Sequence, residues 1–515
     1  MRHLRPASLA VLALLAACAD PKDAEGWAER AASRNRIDEK LSALERARTA
    51  PGDRKAAVKP LSEVLKQAPR ARAEAALILG EIGDPAAARA LIDAIDGSGK
   101  AERDVNDANQ KIATALGALR AREAVPALAR LTSSRDPFTQ VAAIDALGAI
   151  GDPAGVDPLL AVVDGEQGEP FAVKKALLAL GRIGDARAVP AVVRMLYVER
   201  PGVSFFAEAA FAASQLGPPM SAPLSAAVEG KDAALSRWAA SKGIHPAALR
   251  AKAAQVLGDV GGPGAVPALL AALGYTDAVP SAQLFVRVFA AESLGRLRAA
   301  EGVAPIGALL AKAKDHDAHD RYAEALARIG GGPALAPLRA AAAVGDLDAR
   351  EGSLDALSLI GGEAERPLVA GAAQGCATGC PVTRKAALDG MVARLDAARA
   401  CAGAVSCWTG KLADTDAAVR SRAALEVGRA GDAAQAGALA EALVRPVQSD
   451  AELAARYHAV LGLDWLSRRA PLGAKGAELA GAIDKMVAGD KGRTLTAAVN
   501  EDALRLAGRL RRTAR

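Results

Sequence analysis

Four cysteines, Cys376, Cys380, Cys401 and Cys407, stand close together in the chain. Thiols grouped in this way pair as disulfides, hold a tetrahedral zinc ion, or stay free. In an oxidising compartment the local pairs, 376 with 380 and 401 with 407, are expected, because they close the shortest loops. A four-cysteine zinc site and free thiols remain open alternatives. Histidine is scarce. The run Asp315-His316-Asp317-Ala318-His319-Asp320 is the one metal-like cluster, yet carboxylates placed just before a helix also complement the helix dipole. Gly97-Ser98-Gly99-Lys100 has the tail of a phosphate loop. It lacks the glycine five positions before Gly99, where Ala94 stands, and the hydroxyl after the lysine, where Ala101 stands. It reads as a turn. No Ser/His/Asp array is visible, so no catalytic residue, metal or cofactor is expected.

The residues that repeat are arginines and glycines. Ala75-Ala76-Leu77-Ile78-Leu79-Gly80-Glu81-Ile82-Gly83-Asp84 returns around Gly148, Gly181 and Gly258. Weaker copies centre on Gly117, Gly217, Gly295, Ala327, Ser358, Met391, Gly428, Gly462 and Ala507. Eight residues before the anchor stand Arg72, Arg250, Arg287, Arg350 and Arg420, with Arg321 and Arg384 close to that register. This ladder is expected to pair with turn carboxylates such as Asp84 or Asp432, or to form an anion-attracting stripe.

Each copy predicts two helices. The first has apolar residues at helical spacing, as in Val141, Ile144, Ala146 and Leu147. A Gly-Asp pair then ends it, Gly as the left-handed C-cap and Asp as the N-cap of the next turn. The second opens on Val125-Pro126, Val189-Pro190 or Val266-Pro267, proline being tolerated in a first turn. One such pair cannot bury its apolar face alone, so neighbours must stack. Apolar residues make up 51% of the chain but aromatics only 3%, which suits long seams of small side chains rather than one large core. Asp96–Asp107, Gly230–Pro246 and Gly274–Ser281 read as longer loops or capping insertions.

The pattern A-x-x-A-L-G-x-I-G-D followed by A-V-P-x-L resembles HEAT repeats, in particular the phycobilisome-lyase-like variety. The resemblance implies an all-α solenoid, a superhelix of about a dozen helix pairs, with first helices (A) outside and second helices (B) lining a concave groove. On that groove Arg89, Arg130, Arg194, Met195, Tyr197 and Arg339 are the candidate binding residues, with Glu441 among them. One HEAT-like enzyme family, deoxyhypusine hydroxylase, binds two irons through His-Glu pairs; this chain has no His-Glu dipeptide. A lyase-like enzyme or accessory with a ligand in the groove, and a purely structural spacer, are the alternatives to a protein-binding scaffold.

The N-terminus carries Arg2 and Arg5, an apolar stretch from Ala7 to Ala17, and Leu15-Ala16-Ala17-Cys18. The stretch has the length of a secretory signal and is too short to span a bilayer. It resembles the lipobox of bacterial lipoproteins, which implies acylation of Cys18. Ala19 after the cysteine favours an outer-membrane address. The expected organisation is a signal over 1–17, a lipidated N-terminus and tether over 18–35, and a solenoid over 36–515 with the disulfide-bearing repeat near 376–410. The net charge of +6 falls to about +4 once Arg2 and Arg5 leave, and it is spread along the chain. A nucleic-acid partner is therefore not expected. The expected function is a membrane-tethered scaffold for envelope proteins.

Overall fold

A computed structural model describes residues 20–97, 102–164, 168–376, 380–513. Cys18, the rest of the N-terminal signal, and Ser98, Gly99 and Lys100 lie outside the described residues. The chain divides into two compact units, Met1–Ala191 and Val192–Arg515. Helices fill nearly all of both. Among the described residues the only strands form a two-stranded hairpin, Glu199–Arg200 with Val203–Ser204.

The repeat at Pro137–Ile150 shows how the sequence writes the fold. Pro137 occupies the first turn, and Asp136 caps it by accepting from the Thr139 amide at 2.7 Å. The helix stops at Gly151, whose φ of 72° is the left-handed conformation that favours glycine. Asp152 then accepts from the Ala154 amide at 2.9 Å and starts a single 3-10 turn, Pro153–Gly155. The second helix, Val156–Asp164, continues from it without a break. Gly83-Asp84 and Gly184-Asp185 repeat this chemistry. The core lies between the two helical layers; Ile144, Leu147, Val156 and Leu159 are all buried.

The anchor glycine has a different task from the capping one. A Cβ on Gly117 would lie 2.9 Å from Ala146 Cα, and one on Gly148 would lie 2.9 Å from Ala179 Cα. Successive first helices therefore approach backbone to backbone, which explains why the seams are built of Ala and Gly.

The arginine ladder does not pair as expected. Asp84 and Asp432 spend their carboxylates capping their own turns. Arg72 instead donates to the carbonyls of Leu65 at 3.0 Å, Gln67 at 3.2 Å and Ala94 at 3.3 Å. Arg250 donates to Val228, Arg287 to Tyr275, and Arg420 to Asp414 and Thr415. In each case a long cation folds back onto carbonyls that a short second helix leaves open, where the helix dipole is negative. Arg321 and Arg384 do find carboxylates: Glu292 for the first, Asp348 and Glu351 for the second.

Three further expectations are corrected. The stretch read as a tether contains a helix, Ala24–Ser33, with Trp27, Ala28 and Ala31 buried. Trp27 lies between the Arg30 and Arg46 guanidiniums, 5.0 and 4.6 Å from its centroid, and Asp20 pairs with both arginines. Gly230–Pro246 holds an additional helix, Ala233–Ser241, and most of the Asp96–Asp107 segment's second half belongs to helix Arg103–Leu119. The third concerns which layer faces inward within the second unit.

There the first helices close a ring. Phe206–Leu216, Pro246–Val260, Pro280–Leu297, His316–Ile329, Leu347–Ile360, Val382–Cys401, Ala417–Ala430, Asp450–Arg469 and Ala497–Thr513 each pack on the next, and the last packs on the first. Arg512 completes the closure by donating to the carbonyls of Ser214 at 2.6 Å and Gln215 at 2.7 Å. Across the ring Arg468 donates to Asp259 O and Trp465 Nε1 to Arg296 O. First helices thus face one another inside this unit, and their C-terminal carbonyls are capped by side chains far away in sequence. Tertiary demand decides this, because an isolated repeat has no preference for which helix lines a closed ring. Two disulfides, Cys376–Cys380 and Cys401–Cys407, lie in one of its repeats.

Candidate interaction surface

In the first unit the second helices carry the expected binding arginines. Arg89 is exposed, pairs with Asp93 at 3.0 Å and helps line a groove of about 1000 Å³ with Lys55, Lys59, Lys66 and Arg72. Glu63, Asp84, Asp93 and Asp96 line it too, so its charge is nearly balanced. Arg130 is exposed on its own helix. Nothing in the structure converges Arg89 and Arg130 on one spot.

In the second unit the expected residues divide. Arg194 is exposed, but Met195 and Tyr197 are buried, at 5% and 3% exposure. Tyr197 donates to the Leu249 carbonyl at 3.3 Å, and burial pushes its phenol far above the ordinary range. Both are core residues, corrected from groove residues. Periodicity alone does not distinguish them, since Val192, Val193, Met195, Leu196 and Tyr197 are all buried around the exposed Arg194. Arg339 is half-exposed and grips the buried Glu365. Burial would raise that carboxyl, but the Gly362 amide and Arg339 outweigh it and hold it below the usual carboxylate range. Arg339 therefore staples repeats together. Glu441 is exposed.

The metal-like run serves the fold. Asp315 caps helix His316–Ile329 by accepting from the Ala318 amide at 2.9 Å, and His319 lies between Asp320 and Ser353. Among the described residues no group of three or more His, Cys, Asp or Glu side chains could hold a metal ion. His458, buried against Ser421, is held neutral by burial and by the nearby Arg394, Arg328 and Arg429.

An apolar surface lies on the other layer of the first unit. Helices Arg103–Leu119, Pro137–Ile150 and Pro170–Ile183 enclose a hollow of about 640 Å³. Its floor is small and apolar: Gly117, Ala118, Ala142, Ala146 and Ala149. Phe138 and Phe171 stand over it, 69% and 54% exposed. Both come directly after a first-turn proline, so the helix start fixes where each ring stands. At the rim Asp145 takes Lys175 at 2.9 Å and Arg182 at 3.6 Å, while Lys175 sits 5.6 Å from the Phe171 centroid. Exposed aromatic rings over an apolar floor with a polar rim are the make-up of a protein-docking site.

Sequence reasoning passed over these rings, although a signal was present. Phe138, Phe171 and Phe285 each stand ten residues before an anchor glycine, at Gly148, Gly181 and Gly295. Phe285 is also exposed, at 55%. In a chain with seven phenylalanines, three at one repeat position mark a surface rather than a core.

Residues 101–172 match the family described as HEAT repeats, and residues 71–97, 174–197 and 249–275 match the PBS lyase HEAT-like repeat. No curated protein matches the chain. Among solved structures, human deoxyhypusine hydroxylase is similar at 23% identity, over 58% of this chain and 94% of that one, with a TM-score of 0.22. The CpcE–CpcF complex of phycocyanin lyase from Nostoc is similar at 24% identity, over 45% of this chain and 93% of that one, TM-score 0.27. A Kap121p structure is similar at 12% identity, over 94% of this chain and 64% of that one, TM-score 0.42.

Proposed function

This chain is a HEAT-repeat protein of the phycobilisome-lyase-like kind, and from that premise we propose that it is a non-catalytic interaction platform tethered to the bacterial cell envelope. The observation that carries the reading is the hollow under Phe138 and Phe171. A partner polypeptide docks there by placing apolar side chains between the two rings, with Asp145, Lys175 and Arg182 at the edge. Covering one such ring is worth about 1.5–3 kcal/mol, and two adjacent rings make a compact energetic centre.

Cys18 supplies the second part of the proposal. Acyl chains on that thiol contribute about 0.8 kcal/mol per buried methylene, enough for firm anchoring when there are several. Confinement to a membrane surface raises the effective concentration of the platform for envelope proteins, so a modest docking energy suffices. An outer-membrane address is part of this reading.

The test is site-specific photocrosslinking in intact cells from position 138 or 171, with position 187 on another face as control. The expected result is one partner protein crosslinked from 138 and 171 but not 187. It should diminish when Cys18→Ser abolishes lipid labelling. Equal crosslinking from all three positions, or a Cys18→Ser protein that still fractionates with membranes, overturns the corresponding half of the reading.

A further inference from the structure

The polar centre of the second unit is unevenly neutralised. On one side Arg296, Arg505, Arg468 and Arg509 face Asp259, Asp502 and Asp464, four cations against three carboxylates. Arg505 lies 3.1 Å from Asp259 and 2.5 Å from Asp502, and Arg296 bonds to both acids. The other side has four arginines: Arg298 and Arg429 over Trp465, Arg422 over Trp408, and Arg469 on the Arg429 carbonyl. Glu426 is the one carboxylate paired there among the described residues, 3.5 Å from Arg422 and 3.6 Å from Arg429.

Three of these arginines are compensated in part by helix C-termini. Arg422 donates to Ser358 O and Gly361 O, Arg429 to Ala327 O, and Arg469 to Gly431 O. A helix C-terminus carries about half a negative charge, so these three, the C-terminus of helix Pro280–Leu297 and Glu426 leave an excess of about +1. Arg298 is the member left over. It stands at the left-handed end of helix Pro280–Leu297, half-buried, 5.3 Å from the Trp465 centroid, with Arg429 5.7 Å from the same ring. Among the described residues its guanidinium has no hydrogen bond and no ion pair, and its Nε is a buried donor without an acceptor. Arg429, its side chain only 10% exposed, likewise leaves its Nε unpaired. Unpaired guanidinium nitrogens recur in this chain, at Arg328, Arg456, Arg505 and Arg509 among others, so the site rests on Arg298, whose guanidinium lacks any polar partner among the described residues, beside the solvent-facing Arg469.

Burial and the neighbouring Arg469 lower the Arg298 guanidinium from its ordinary range, and burial brings Arg429 down to about 10. Burial is the main cause in both, with neighbouring cations adding to it and Glu426 opposing it. Arg469 is exposed, so the cluster is reached from solvent on that side.

We infer that the cluster around Trp465 is an oxyanion-binding site, with Arg298 as principal donor, Arg469 at its mouth and Glu426 as the competing internal anion. The ligand chemistry is a phosphoryl or carboxylate oxyanion. Binding there ties helix Pro280–Leu297 to helix Asp450–Arg469, so the anion stabilises the closed ring. Anion binding at this cluster is independent of where a partner protein docks.

The test is calorimetric titration and thermal unfolding of the whole protein at constant ionic strength. The probes are inorganic phosphate, glycerol phosphate and acetate, with chloride as reference. Phosphate is expected to bind and to raise the unfolding temperature relative to chloride, with acetate weaker. Arg298→Gln should weaken phosphate binding at least about tenfold, since a charge-assisted hydrogen bond is lost. Glu426→Gln should strengthen it, which a purely structural role would not produce, and this variant keeps the test decisive if Arg298→Gln misfolds. Tighter binding of glycerol phosphate supports the site with a phosphoryl ester as its source; tighter inorganic phosphate supports it with the free ion. Equal effects of phosphate and chloride, phosphate binding unchanged in Arg298→Gln, or weaker binding in Glu426→Gln would overturn it.

Discussion

The two units use the same repeat to opposite ends. In residues 20–191 the side-chain hydrogen bonds that cross between elements reach no further than about one repeat, as Gln67 to Ala32 and Arg187 to Pro153 do. In residues 192–513 they also span 206, 209 and 298 positions, from Arg296 to Asp502, Arg468 to Asp259 and Arg512 to Ser214. The first unit is a ladder held by neighbours, and it leaves an aromatic-lined hollow open. The second is a ring whose interior is filled by its own arginines, aspartates and Trp465. Buried charge is a consequence of closure: a ring made from helix ends gathers unsatisfied carbonyls at its centre, and long cations are the groups that reach them.

The largest expected effect lies in that interior. Asp464, buried, holds Arg468 at 3.0 Å and Arg509 at 2.6 Å. Asp464→Ala strands both cations and should destabilise the second unit by about 3–5 kcal/mol. Hydrogen exchange would show this as lost protection in residues 192–513 with residues 20–191 little changed. Equal loss in both units would mean that the units do not behave separately.

A smaller effect comes from pH. His458 titrates well below 6.5 when folded, through burial first and then Arg394, Arg328 and Arg429. The unfolded chain takes up the proton near pH 6.5 and the folded one does not. This contribution is therefore fully present above pH 6.5 and is lost as pH falls toward the folded value, by about 1.4 kcal/mol per unit. His458→Gln should flatten that slope in the second unit. An unchanged slope would place the titration elsewhere.

The smallest effect on stability is expected at the open surface. Phe138→Ser with Phe171→Ser should cost less than about 0.5 kcal/mol, because both rings are already in water. Partner co-purification should nevertheless be lost. A large loss of stability would make the rings part of the core and remove the contrast between the two units.

Much of the fold was legible residue by residue. Gly83, Gly151 and Gly184 end helices in the left-handed conformation, and the aspartates after them cap the next turn, as their types and order imply. The cysteines pair locally, 376 with 380 and 401 with 407. The candidate site was less legible. Arg89 and Arg130 are exposed, but Met195 is buried at the end of helix Val189–Met195, and Tyr197 is buried in the turn after it with its hydroxyl on the Leu249 carbonyl. The ladder arginines were visible as a series and their partners were not, since a backbone carbonyl leaves no letter in a sequence.

Local chemistry is what the sequence by itself determined: which residues stop a helix, which start one, and which positions must be glycine for two backbones to touch. These depend on contacts a few residues away or one repeat away, and one repeat contains them all. Tertiary structure alone decided that the second unit closes, that its first helices face inward, and that Arg298 is left beside Trp465 without a partner. Such outcomes depend on small rotations between repeats, summed over many layers until distant helix ends meet, and no single repeat encodes the sum.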